Sequence, residues 1–177
     1  RDMARIAPYG DILHVDVADA RFTPGFLFFP DLVARIADVA QAPVHVHLMT
    51  RGDIVVDQAR QFAEAGADLV TVHAETGAEG LAALDLLARV AMVTLMGTRI
   101  GIKGAGLDPE AVPRIRALRQ TLAAQGLGRV RVAADGGIRD TTVPDLRAAG
   151  ADTVVMGSLA FGADDLAAWF GWLRGLG

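Results

Sequence analysis

Four histidines and two aspartates are the residues of this 177-residue chain best placed to do chemistry. His14 and Asp16 stand two apart, as do His45 and His47; His73 stands alone, and Asp135 precedes Gly136 and Gly137. Each lies in, or at the end of, a short β-branched stretch. Residues i and i+2 of a strand face the same way, so each spaced pair shares a face. Asp16 and Asp135 each read as closing a strand and opening a loop. Singly, such an aspartate commonly caps a turn or helix, and a single strand histidine is commonly a hydrogen-bonded core residue. Together, imidazole and carboxylate donors on neighbouring strands suit one divalent metal ion, Zn²⁺, Fe²⁺, Mn²⁺ or Co²⁺. Spacing alone does not choose among the four histidines.

The elements that must position these groups alternate along the chain. Strands are expected at 12–17, 44–49, 69–73, 92–96, 130–134 and 153–156. Helices are expected at 31–40, 55–65, 109–125 and 142–149. The phrases Ala65-Gly66-Ala67-Asp68 and Ala149-Gly150-Ala151-Asp152 each join a helix to a strand, with glycine ending the helix in a left-handed cap. Such alternation gives a parallel sheet with right-handed crossovers, either open and doubly wound or closed into a barrel. Polar side chains from several strands pointing to a common centre favour the barrel, whose C-terminal mouth supplies that centre. Three glycine-rich turns follow strands: Gly101 to Gly106 with Lys103 and Gly104 inside it, Asp135-Gly136-Gly137, and Met156-Gly157-Ser158. Glycine lets backbone N–H groups approach an anion, and Lys103 adds a charge. Two such turns late in a barrel match a phosphate site.

Composition narrows the classes. With 52% hydrophobic and 21% charged residues, the chain reads as one globular domain spanning 1–177 rather than a disordered segment. A net charge of −4 provides no basic field for nucleic acid or an anionic membrane. No apolar run approaches the ~20 residues of a membrane span, and the first residues lack a secretory pattern. Cysteine is absent, which removes disulfide and thiolate chemistry and fits a cytoplasmic location. Trp169, Phe170, Trp172 and Leu173 follow helical spacing and are expected to pack inward, with the tryptophans also suited to a homo-oligomer contact.

Read as a series, the motifs resemble the ribulose-phosphate 3-epimerase family. His14-Val15-Asp16-Val17-Ala18-Asp19 is similar to its H-x-D-x-M-D, and Arg21-Phe22-Thr23-Pro24 to its x-[FY]-V-P. Val46-His47-Leu48-Met49 resembles V-H-L-M, and Thr71 to Glu75 resembles T-x-H-x-E. Val132 to Gly137 and Met156 to Phe161 match x-x-x-D-G-G and x-G-S-x-[IL]-F. The resemblance implies a (β/α)8 TIM barrel of the ribulose-phosphate-binding type. It implies a metal held by His14, Asp16, His47 and Asp135, with Asp16 and Asp135 also serving as acid and base. Met49 and Met96 match methionines lining the family's active site. Gly136, Gly137, Gly157 and Ser158 match its phosphate-binding turns, His47 also borders the substrate, and Gly101, Lys103 and Gly104 fall in its flap.

Three departures stand near the substrate: the flap reads Arg99 to Gly104 where N-P-G-F-G-G is usual, His45 replaces an aspartate, and Met156 replaces a small residue. The chain is also short of the ~200 residues of a small barrel. Residues 2–9 read as the end of the first helix, so the barrel's first strand is missing; a rival alignment puts residues 6–9 on that strand. A second deficit falls between Glu75 and Leu86, where a helix and the fifth strand belong, and 81–90 reads as the helix that follows. That gap is read as a segment left out of the chain. The implied reaction converts D-ribulose 5-phosphate to D-xylulose 5-phosphate. Inverting a carbon beside a ketone needs a base on one face and an acid on the other, through an enediolate that a Lewis acid stabilises. Alternatives are another ketose phosphate, such as allulose 6-phosphate or a tetrulose phosphate, or a degenerate barrel with a binding role. A related decarboxylase group with a D-x-K-x-x-D motif fits less well, because Asp16 to Asp19 lacks its lysine.

Overall fold

The computed structural model describes residues 2–73, 76, 78–80, 92–98, 105–124, 126, 128 and 130–176. The chain folds as two compact units, Gly10–Val90 and Arg1–Tyr9 with Ala91–Gly177. In chain order the elements are α1 (Asp2–Ile6), β1 (Leu13–Asp19), β2 (Phe26–Leu27), α2 (Pro30–Ala37), β3 (Val44–Met49), α3 (Gly52–Glu64) and β4 (Leu69–Val72). There follow β5 (Met92–Met96), α4 (Ala111–Ala124), β6 (Arg131–Asp135), α5 (Val143–Ala149), β7 (Thr153–Val154), α6 (Ser158–Phe161) and α7 (Leu166–Arg174).

In the unit Gly10–Val90 the strands lie in the order β2-β1-β3-β4, with β1, β3 and β4 parallel and β2 antiparallel to β1. Helix α3 buries Val55, Ala59 and Phe62, spaced as one helical face. That face packs on Val15, Val17, Val44, Val46, Leu48 and Val70, the alternate residues of the three parallel strands. Phe62 is fully buried, so Phe62→Ala would cost about 3–5 kcal/mol. The remaining strand positions turn to the opposite face. Among them are His14 and Asp16, His45 and His47, and Thr71. The register sets His14 beside His45 and Asp16 beside His47.

In the second unit β5, β6 and β7 are parallel in that order. Helices α4 and α5 bury Ile115, Leu122, Val143 and Leu146 against Val130, Val132 and Ala134. α7 buries Leu166 and Phe170, the latter stacked on Tyr9 with ring centroids 5.8 Å apart. Among the described residues no helix is long and apolar enough to cross a membrane.

Most expected elements are present, with corrected ends. Residues 2–6 are helical, as the first reading of the N-terminal segment required, and residues 6–9 form no strand. β1 runs on to Asp19, so Asp16 sits mid-strand rather than closing it; the extension exists because Ala18 and Asp19 pair with Leu27 and Phe26. β7 stops at Val154, two residues early. Much of the expected gap between Glu75 and Leu86 lies outside the described residues, and so do the helix expected at 81–90 and the flap residues Gly101, Lys103 and Gly104.

Candidate functional site

The parallel register of β1, β3 and β4 builds a polar cluster on one sheet face. Asp16 is its hub. One carboxylate oxygen, Oδ1, lies 3.1 Å from His14 Nε2 and 3.0 Å from His47 Nδ1. The ligand atoms of His14, Asp16 and His47 all lie within 4.8 Å of one another. Two further histidines extend the cluster. His45 Nδ1 is 3.0 Å from His14 Nδ1, and His45 Nε2 is 2.6 Å from Thr71 Oγ1. His73 Nε2 is 2.7 Å from His47 Nε2, and the two rings stack with centroids 4.8 Å apart. Phe22 also packs on His73, with ring centroids 4.8 Å apart.

Burial makes these contacts count. His45, His47, Thr71 and His73 are all buried, and the Asp16 side chain keeps 45% of its exposure. Burial by itself would raise the Asp16 carboxyl; the hydrogen bonds and charges of His14 and His47 outweigh it and hold the group well below the usual carboxylate range. Asp16 is therefore ionised at neutral pH, an acceptor-only group facing two imidazole nitrogens. Two nitrogens and one oxygen converging on a small region, with half of the carboxylate open, form a donor set of the kind that binds Zn²⁺, Fe²⁺, Mn²⁺ or Co²⁺.

Asp19 supports the frame of this unit. Its carboxylate accepts from the backbone N–H groups of Arg21 and Phe22, both at 2.8 Å, and of Arg51 at 2.9 Å. Slight burial would raise its pKa, and these backbone bonds bring it below the ordinary value. The bonds fix the turn after β1 and tie it to the residue that precedes α3.

In the second unit Asp135 is the last residue of β6, paired in register with Met96 of β5. Gly136 and Gly137 follow with φ of +87° and +69°, which glycine adopts freely. An added Cβ would meet Thr98 Oγ1 at 2.5 Å from Gly136 and the Leu107 backbone at 2.7 Å from Gly137. Packing alone thus demands both glycines. Gly157 differs: its φ is −77°, and an added Cβ would meet nothing within 4 Å. Gly157 and Ser158 are exposed at the start of α6. Met49 is buried on the same face of β3 as His45 and His47, and Met96 is half-buried on β5.

Of the residues expected from the sequence, His14, Asp16 and His47 meet in one cluster. His45 and His73, which alone would read as core residues, join it through direct bonds. The parts played by Thr71 and Asp19 escaped the sequence reading. Thr71 shares a face with His73 by its i, i+2 spacing, and an aspartate ahead of two loop residues is an Asx-turn signal.

Comparison with known proteins follows the same outline. The family model described as "Ribulose-phosphate 3 epimerase family" matches residues 1–84 and 78–161. Ribulose-phosphate 3-epimerase of Mycobacterium bovis is 34% identical over 203 residues, covering 98% of this chain and 87% of that protein. The Synechocystis protein of the same name is 32% identical over 186 residues, covering 89% and 78%. An alignment of 203 positions is longer than this chain, so the mycobacterial protein carries residues this chain lacks. The two matched stretches meet at 78–84, inside the segment too short for its expected helix and strand. Among solved structures, a 3-hexulose-6-phosphate synthase aligns with a TM-score of 0.60 at 24% identity, covering 99% of this chain and 91% of that one. Orotidine 5'-phosphate decarboxylase from Pyrococcus horikoshii aligns at 0.62 and 16%, covering 99% and 90%. These likenesses establish the fold, an incomplete (β/α) barrel.

Proposed function

Because the chain belongs to the ribulose-phosphate 3-epimerase family, we propose that it inverts C3 of D-ribulose 5-phosphate to give D-xylulose 5-phosphate. It is an isomerase of the epimerase type; the substrate and the roles of single residues are our reading. The observation that carries the site is the pair of imidazole nitrogens at 3.1 and 3.0 Å from one oxygen of Asp16. In this reading His14, Asp16, His47 and Asp135 hold a divalent cation within a single barrel domain. When bound, the cation supplies Lewis-acid polarisation of the ketone, which brings the adjacent C–H within reach of a carboxylate base.

The chain's own residues supply the proton traffic. One aspartate, ionised, takes the C3 proton from one face; the other, protonated, delivers a proton to the opposite face of the enediolate. The first ends protonated and the second ionised, so the pair is set for the reverse direction. Asp16 enters this reading ionised, the form its histidine neighbours favour. Met49 and Met96 would line the substrate, and His47 would border it. Gly136, Gly137, Gly157 and Ser158 would receive the phosphate, under a flap containing Gly101, Lys103 and Gly104. Gly157 supports this by the room beside it, since an added Cβ would meet nothing within 4 Å. The working form is read as a cytoplasmic homo-oligomer, and light scattering on the purified protein checks the oligomer.

The test is turnover in D₂O with a panel of ribulose, allulose and tetrulose phosphates. Epimerised pentulose phosphate carrying one deuterium at C3 is the expected product. Preference for another ketose phosphate would replace the substrate, and no turnover of any, with each candidate metal supplied, would overturn the enzymatic reading of this site.

A further inference from the structure

We propose that His45, braced by Thr71, is a positioning residue that can accept the Nδ1–H of His14, and so lets His14 offer a bare Nε2 to a cation. The inference rests on the metal reading above and deepens it.

The geometry is a chain of three groups. His14 Nδ1 and His45 Nδ1 are 3.0 Å apart, so in a hydrogen bond one carries hydrogen and the other a lone pair. His45 Nε2 and Thr71 Oγ1 are 2.6 Å apart, and a hydroxyl can play either part. His45 is 1% exposed and Thr71 4%, so solvent has little access to either bond. The hydrogens along this chain are therefore coupled and have two consistent arrangements. In the first, the Thr71 hydroxyl donates to His45 Nε2, His45 Nδ1–H donates to His14 Nδ1, and His14 Nε2–H donates to Asp16 Oδ1, 3.1 Å away. In the second, the bonds to His45 reverse and the bond from His14 to Asp16 is given up. His14 Nδ1–H donates to His45 Nδ1, His45 Nε2–H donates to the Thr71 oxygen, and His14 Nε2 is left with a lone pair beside Asp16.

Each ring carries one proton in both arrangements, so the exchange is neutral and the proton count is conserved. Only the second arrangement suits a cation, since a ligating imidazole nitrogen must be bare while its other N–H is held by an acceptor. His45 can serve either arrangement. An aromatic hydrocarbon in its place could serve neither. Without the Thr71 hydroxyl, the cation-ready arrangement would leave a buried N–H with its acceptor removed.

The experiment is a Co²⁺ titration of the chelator-stripped protein, followed by the visible d–d band. Co²⁺ affinity should fall about 10–100-fold in His45→Phe, the usual loss when the hydrogen-bond partner of a ligating histidine is removed. Thr71→Val should fall less, and Thr71→Ser, which keeps the hydroxyl, should regain the parent's affinity. Unchanged affinity in His45→Phe with its fold intact by circular dichroism would overturn the proposal. Should His45→Phe fail to fold, equal affinities for the Val and Ser variants of Thr71 would overturn it instead. His14→Ala separates the two layers. Loss of the band there, with no effect at His45 or Thr71, sinks this inference alone; an unchanged band and affinity sink the metal reading as well.

Discussion

In one unit the chain leaves α3 through Gly66 at φ +96°; in the other it leaves α5 through Gly150 at φ +110°. Both junctions close the same way. Ala67 N–H returns to Phe62 O at 3.0 Å, and Ala151 N–H to Leu146 O at 3.0 Å. Each following aspartate then clasps the neighbouring strand. Asp68 accepts from Val44 N–H at 2.9 Å, and Asp152 accepts from Val132 N–H at 2.8 Å. From this common device the two sheets diverge. β1, β3 and β4 fill the face turned from α3 with His14, Asp16, His45, His47 and Thr71. β5 and β6 place Thr94, Met96, Ala133 and Asp135 at the equivalent alternate positions, and glycine turns follow β6 and β7. Identical local solutions thus carry different side chains: a histidine cluster in one unit, a single strand-end aspartate and glycine turns in the other.

The sharpest test of that division is to remove one carboxylate from each unit. Asp16→Asn and Asp135→Asn should each lower kcat by about 10²–10⁴-fold, the range for a lost general acid or base. A steady-state assay showing full activity for Asp135→Asn would confine the chemistry to the histidine-bearing unit. Chelation should come next. Metal-free protein should lose turnover, and restoring the metal at 100 times its Kd should add about 2.7 kcal/mol of stability, read as a rise in Tm. His14→Ala or His47→Ala should abolish that rise.

The paired junctions give a graded stability comparison. Asp68→Ala should cost about 1 kcal/mol in urea unfolding, the scale of one hydrogen bond. Asp152→Ala should cost about 2 kcal/mol, because Asp152 also pairs with Arg119. Equal costs would mean that the Arg119 contact adds nothing. Gly157→Ala should cost about 1 kcal/mol, because ψ of −100° is outside the regions an L side chain favours, and raise KM several-fold. A stable variant with unchanged KM would detach Gly157 from the phosphate. The smallest effect concerns Asp19. Its depressed folded pKa means that its contribution is present above about pH 4 and fades as pH falls through the folded value. The gap between Asp19→Asn and the parent should be about 1 kcal/mol at neutral pH and narrow in acid.

Some of this was legible before any coordinates. β3 and β5 match their expected bounds: apolar and β-branched residues recur through both, Pro43 precedes β3 and Gly97 follows β5. The shared faces of His14 with Asp16 and of His45 with His47 follow from strand periodicity alone. The end of β1 did not show, because it is made by pairing with β2, a contact that no pattern within β1 announces. Nor did the bonds from His45 to Thr71 and from His47 to His73, which run diagonally between strands and depend on the parallel stagger.

That stagger has guardians of its own. Asp68 sits at the start of β4, remote in sequence from the histidines of β3. Its carboxylate takes the N–H of Val44 while its own N–H reaches Val44 O at 2.9 Å. A strand that mispaired by one residue would exchange its faces, turning His45 and His47 toward Phe62 and presenting Val44, Val46 and Leu48 in their place. Such a molecule could still be compact and helical, and it would hold no donor set. The two-way clasp at Val44 therefore adds to hydrophobic burial in fixing this register, so that the core and the donor set are specified together.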